Sequence, residues 1–230
     1  MKKPMQRLAV AGLGLVLSAS AAWADAPLLQ EGFDGTGLPA GWTVANFSTS
    51  PASEGWFRPV SPADTFAAES GAAESYIASS VFTGATDAGG NPMGRIDTML
   101  ATAVVSMAEA TTLTFSTRTV SGNAYGESLR IGAIVAGSFV ELMTINPSLA
   151  VGAFPEQWTT YSVTLAAQGE DISGRYYFEY VVPDASVAGN FIGLDSVSVT
   201  VSPVPEPTGA LLMLSGGALL LAWRRRATRA

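Results

Sequence analysis

The chain has no cysteine and no histidine in its 230 residues. The first absence excludes disulfide staples, so the fold must be held by a buried core. Together the two absences exclude thiol nucleophiles, zinc sites of the usual Cys/His kind and any Ser-His-Asp triad. Positive charge is scarce as well: from Asp25 to Glu206 there are only Arg58, Arg95, Arg118, Arg130 and Arg175, with no lysine, against all nineteen acidic residues, a net charge of −14. A surface of that sign repels nucleic acid and anionic lipid headgroups, and suits a soluble extracellular protein or one that collects divalent cations. Helix-length amphipathic runs are lacking between the ends, and long apolar runs occur only at the two termini.

At the N-terminus, Lys2, Lys3 and Arg7 precede the apolar run Leu8 to Leu17, and Ala22-Trp23-Ala24 offers small residues where a signal peptidase cuts. The pattern predicts a signal peptide over 1–24, cleavage before Asp25 and general secretory export. At the C-terminus, Val204-Pro205-Glu206-Pro207 is followed by sixteen uncharged residues, Thr208 to Trp223, and then by Arg224, Arg225 and Arg226. As a helix, 208–223 would extend ~24 Å, short of the ~30 Å hydrocarbon core, and the arginines would stay cytoplasmic. A Pro/Glu break, a hydrophobic helix and an arginine cluster in this order resemble a PEP-CTERM sorting signal. The resemblance implies exosortase as the processing partner, transient insertion in the inner membrane of a Gram-negative bacterium, and a final place at the cell surface or in the extracellular matrix. An ordinary C-terminal anchor would keep the same orientation.

The segment 25–203 is one domain's length. It is rich in Gly, Ser, Thr and Ala, with turn signals at short intervals, which argues for an all-β domain. Thr112 to Thr119, Ser128 to Ala136, Thr159 to Leu165 and Arg175 to Val182 alternate apolar and polar residues, and Gly137-Ser138 makes a tight turn from the second of these into Phe139 to Ile145. Tyr176, Phe178 and Tyr180 fall on one face of the last of these, against Tyr177 and Glu179. Period 2 in successive segments predicts strands with one buried face, arranged as a two-sheet antiparallel β-sandwich. Phe191 to Val201 breaks phase: Ile192 and Leu194 are even, whereas Val197, Val199 and Val201 are odd. A bulge near Asp195-Ser196 reconciles them; a strand buried on both faces is the other reading. Asn46 to Gly94 reads as long loops with one strand-like run, Ser75 to Phe82.

Three pieces line up along this segment: Glu31-Gly32-Phe33-Asp34 with Leu38-Pro39-Ala40-Gly41-Trp42, then Gln157-Trp158-Thr159-Thr160-Tyr161-Ser162-Val163-Thr164-Leu165, then Phe191-Ile192-Gly193-Leu194-Asp195-Ser196-Val197-Ser198-Val199. In this order they resemble the choice-of-anchor J domain, a relative of the cleaved-adhesin and MAM-like jelly rolls. Asp97-Thr98-Met99-Leu100-Ala101-Thr102 stands where that family usually has an aromatic-rich strand. The resemblance implies a jelly-roll-like sandwich whose first and last strands lie near each other. It also implies a structural calcium, for which the matching positions are Glu31 and Asp195, with Asp34 as a further candidate. Isolated carboxylates at strand ends that cap a turn or meet solvent are the plainer reading.

The expected function is a non-catalytic, exported surface or matrix module that binds glycan or another exopolymer. Flat aromatics make sugar platforms, and Trp56, Phe57 and Tyr177 are the candidates once Trp42 and Trp158 are assigned to the framework. A ligand-free structural matrix component is the alternative. A secreted glycoside hydrolase is a lesser one: paired carboxylates are the one catalytic apparatus this composition permits, but no acidic residue stands in a catalytic motif.

Overall fold

The computed structural model describes residues 26–60 and 65–202. The leader 1–24 and the sorting segment 204–230, with Val204, Pro205, Glu206, Pro207, the 208–223 helix, Arg224, Arg225 and Arg226, lie outside the described residues. Among the described residues no helix is long and apolar enough to cross a membrane.

The chain forms strands β1 (Leu29–Glu31), β2 (Thr43–Asn46), β3 (Trp56–Phe57), β4 (Ile77–Ser80), β5 (Ile96–Ala101), β6 (Val105–Ser106), β7 (Thr111–Thr119), β8 (Ser128–Val135), β9 (Ser138–Ile145), β10 (Thr159–Leu165), β11 (Ser173–Val182) and β12 (Phe191–Val201). They build two antiparallel six-stranded sheets: the first runs β10-β7-β12-β4-β3 with β1 also on β12, and the second runs β2-β5-β11-β8-β9 with β6 also on β11. The protein is therefore a β-sandwich, with the first and last strands paired, Glu31 opposite Val197.

The alternating segments put their apolar residues between the sheets. Leu113 and Phe115 of β7, Leu129, Ile131 and Ala133 of β8, and Tyr176, Phe178 and Tyr180 of β11 have no exposed surface. Phe115 packs edge-on against Phe178 from the facing sheet, with ring centroids 5.1 Å apart. Full burial of such a side chain is worth roughly 1.5–3 kcal/mol, which lets the core do without disulfides.

The phase break in β12 is a bulge. Asp195 faces Ser116 and Ser198 faces Thr114, so two residues of β12 oppose one of β7, and Ser196 takes φ 54°. Ile192 and Leu194 before it and Val197 and Val199 after it consequently all reach the core with no exposed surface. The β8–β9 turn falls one residue earlier than its sequence suggests: Ala136 (φ 48°) and Gly137 (φ 79°) form it and Ser138 opens β9. Positive φ at both central residues is what a two-residue hairpin turn of type I′ requires.

The first half departs most from expectation. Asp97 to Ala101 is the body of β5, interior to the second sheet between β2 and β11. Ile96, Thr98 and Leu100 point inward, and the buried Thr98 hydroxyl lies 2.9 Å from that of Ser79 on the other sheet. The run Ser75 to Phe82 contains β4 and then a single 3-10 turn, Val81–Thr83, capped by Ser80.

The segment 65–75 covers the outer face of the first sheet and creates a satellite core there, in which Phe66 sits among Tyr76, Trp158 and Phe191. Gly193 of β12 makes room for it, since a Cβ at that position would lie 2.7 Å from the Phe66 ring. Arg118 closes the cluster with its guanidinium 4.4 Å from the Phe66 centroid. Trp158 thus packs outside the sandwich rather than inside it, donating from Nε1 to the Ala67 carbonyl at 2.8 Å.

Candidate functional site

The outer face of the second sheet carries the site. Because residues facing one another across an antiparallel sheet share a face, its side chains follow from the register. One rung reads Thr43, Ala101, Tyr177, Gly132 and Glu141, and the next reads Ala45, Met99, Glu179, Arg130 and Thr144. A bulge in β9 opposite Ile131 and Gly132 shifts that edge, and Gly132 leaves the low point over which the Tyr177 ring lies. A Cβ at Gly132 would collide with that ring, so only glycine admits this arrangement. Phe139 stands edge-on to Tyr177 at 5.6 Å and is 62% exposed, and Phe47, 59% exposed, stands at the opposite edge. Together with Met99, Arg130, Glu141 and Glu179 these rings line an open groove of about 420 Å³.

Two ion pairs lie at this face, and Glu141 accepts from the Thr144 hydroxyl at 2.7 Å. Arg130 Nη1 lies 3.4 Å from Glu179 Oε2, and Arg95 Nη2 lies 2.5 Å from Asp97 Oδ2. Burial holds the Glu179 carboxyl above its ordinary pKa, the neighbouring Asp97 carboxyl adds to the effect, and Arg130 opposes it. Asp97 Oδ1 is buried with no hydrogen-bond partner. Burial, then Glu179 and Glu141, push the Tyr177 hydroxyl upward, so it remains a hydrogen-bonding phenol at neutral pH.

The three aromatic candidates do not converge. Tyr177 belongs to this groove as its floor, only 5% exposed, whereas Trp56 and Phe57 belong to β3 of the other sheet. Trp56, 4% exposed, donates from its indole to the Thr98 carbonyl at 3.1 Å and packs in the core, which corrects its reading as a surface platform. An isolated Trp in a polar loop looks exposed in sequence, but Gly55 lets this one turn inward against Thr98. Phe57 is 38% exposed and borders a separate cleft of about 300 Å³ with Arg58, Glu54 and Leu38. Sequence reasoning missed Phe139 and Phe47. Phe139 and its neighbour Val140 are both apolar at the start of β9, so only the pairing with β8 tells which of the two faces the groove.

The acidic candidates are arranged for another task. Glu31 and Asp34 line a shallow cavity with Ser70 and Ser196. Asp195 has no exposed surface: its Oδ2 accepts from the amides of Glu69 (2.9 Å) and Ser70 (3.2 Å), and its Oδ1 accepts from Ser196 N at 2.6 Å. Glu31 Oε1 accepts from Phe33 N at 2.7 Å. Calcium asks for six to eight oxygen ligands, and no group of three or more acidic side chains able to hold a metal ion occurs among the described residues. Of the three candidates, Asp195 already has both carboxylate oxygens engaged by backbone amides. Asp195 instead anchors the covering 65–75 segment to β12, and burial raises its pKa to about 6 against the pull of the three amides.

No family model matches the chain. No curated protein matches it either. Among solved structures it is similar in fold to the K1 cleaved adhesin domain of Lys-gingipain from Porphyromonas gingivalis (TM-score 0.54, 19% identity, 76% of this chain and 98% of that one). The K3 domain of the same protein is similar at TM-score 0.50 and 22% identity, over 76% and 99% of the two chains. A carbohydrate-binding module solved in complex with beta-1,4-galactotriose is similar at TM-score 0.50 and 13% identity, covering 77% of this chain and all of that one. At these identities the likeness is one of fold.

Proposed function

We propose that this protein is an exported, non-catalytic module that binds a neutral glycan polymer along the outer face of its second sheet. The observation that carries the reading is the groove itself: exposed Phe139 and Phe47 at its two edges, Tyr177 in its floor, and the Arg130–Glu179 pair between them. Rings at the edges offer apolar faces to sugar C–H groups, and the ion pair offers both donors and acceptors to hydroxyls. A neutral polymer is preferred because a domain of charge −13 over residues 25–203 repels anionic ones. The carbohydrate-binding module with the same fold supports this reading by analogy. The PEP-CTERM-like tail and the signal peptide support export, exosortase processing and a final place at the cell surface or in the matrix, where such a module meets exopolymer.

Affinity electrophoresis of the protein through gels containing neutral polysaccharides, beta-1,4-galactan and xylan among them, tests the binding reading. Retardation by at least one is expected, weakened about tenfold by Phe139→Ala, since an exposed aromatic anchor is worth more than about 1 kcal/mol. Phe82→Ala, which removes an equally exposed ring elsewhere, should leave it unchanged. Retardation that is indifferent to Phe139→Ala places the ligand on another surface, and none in any gel refutes the reading.

A further inference from the structure

The sandwich protects its sheet edges unequally. The first sheet ends at β3 and β10, the second at β2 and β9. β3 has two residues and β2 has four, too short to template another strand. β9 has eight, but it carries the charge of Glu141 and is kinked by the bulge opposite Ile131 and Gly132. Short strands, charges and bulges are the ways natural sheets blunt an edge.

β10 has none of them. Its seven residues, Thr-Thr-Tyr-Ser-Val-Thr-Leu, include no charge, no proline and no glycine, and they pair with β7 without a break from Thr159 opposite Thr117 to Leu165 opposite Thr111. No backbone hydrogen bond from a turn or loop among the described residues reaches 159–165. Every second amide and carbonyl of the strand therefore points away from the sheet with no protein partner among those residues.

We infer that β10 is an association edge that pairs antiparallel with β10 of a second copy, joining the two first sheets across a two-fold axis near Ser162. Charge selects this partner: two copies of a domain with net charge −13 over residues 25–203 repel except where a charge-free strip lets them touch. The strand is also complementary to itself. With Ser162 on the axis, Tyr161 faces Val163 and Thr160 faces Thr164, an aromatic with β-branched pair and a hydroxyl pair that are both favourable across strands. The inference is independent of the glycan reading, and it makes each assembly carry two grooves.

The lack of cysteine supplies a clean test in the full-length chain. Facing residues of an antiparallel pair have Cα atoms about 4.5–5.5 Å apart, within disulfide reach. Under mild oxidation Ser162→Cys should form covalent dimers at least tenfold faster than Val187→Cys, an exposed control in a distant loop. Sedimentation should show a dimer for the natural chain and a monomer for Ser162→Lys, whose two like charges would meet on the axis, with an unchanged far-ultraviolet spectrum. Equal cross-linking of the two cysteine variants, cross-linking of Ser162→Cys only to unrelated proteins, or a dimer that survives Ser162→Lys would overturn the inference.

Discussion

Glu127 places an acid where the fold tolerates its charge badly, and this makes stability depend on pH with a definite sign. The residue immediately precedes β8 and has no exposed surface. Its Oε1 accepts from Asn123 Nδ2 at 2.9 Å, while Oε2 is buried with no hydrogen bond. The nearby Thr119 hydroxyl is committed to the Phe191 carbonyl and the Asn190 amide to the Tyr180 hydroxyl. Burial consequently raises the Glu127 pKa from 4.5 to about 7, with Thr119, Asn190 and Asn123 pulling it only part of the way back. A proton on Oε2 would turn the orphan acceptor into a donor. Between pH 4.5 and 7 the folded state holds this proton and the unfolded state releases it, so stability is greatest below the unfolded value and falls as pH rises through the window. At about 1.4 kcal/mol per pKa unit the loss is roughly 3 kcal/mol, a large part of a typical folding free energy. Urea unfolding of the natural chain and of Glu127→Gln at pH 4.5 and pH 8 measures it. The glutamine cannot ionise, so its stability relative to the natural chain should improve by about 3 kcal/mol between the two pH values. A difference that stays the same to within about 1 kcal/mol would refute the reasoning.

Two further outcomes are expected. Asp195→Asn presents an amide N–H₂ to backbone donors, so it should lower stability at pH 7 by about 1–3 kcal/mol in the same urea assay, and calcium added to chelator-stripped protein should leave the melting temperature unchanged. A rise of several degrees that disappears in Asp195→Asn would return Asp195 to the role of metal ligand. In the native host, intact mass should show a chain beginning at Asp25 and lacking the Arg224 to Arg226 tail; a species retaining the tail would sink the processing reading.

What the sequence shows well lies in the second half of the domain. β7, β8, β10 and β11 each turn an alternating set of apolar residues to the core, and that face writes itself into the chain as period 2. Even the β12 bulge is visible, because Ile192, Leu194, Val197 and Val199 share the core only if one extra residue intervenes. β5 is harder to read: Thr98 occupies a core position, bonded to Ser79, so Ile96-Asp97-Thr98-Met99 does not look like a strand. β1, β2, β3 and β6 are two to four residues long and carry too few positions for any period.

The candidate sites separate along the same line. Composition by itself determined that this protein has no disulfides, no thiol or histidine chemistry and a strongly acidic exterior, since those statements need only a count of residue types. Periodicity determined the sandwich class, because alternation is local. Which aromatics meet a ligand was decided by tertiary structure alone. Trp56 turns into the core through the space that Gly55 leaves, Tyr177 settles over Gly132, and Phe139 stands beside it only because β9 pairs with β8 in one register. The same holds for Asp195, whose carboxylate is drawn to the amides of Glu69 and Ser70 from more than a hundred positions earlier in the chain. Side-chain exposure depends on what folds over a strand, and a covering segment so distant in sequence leaves no trace in the local pattern.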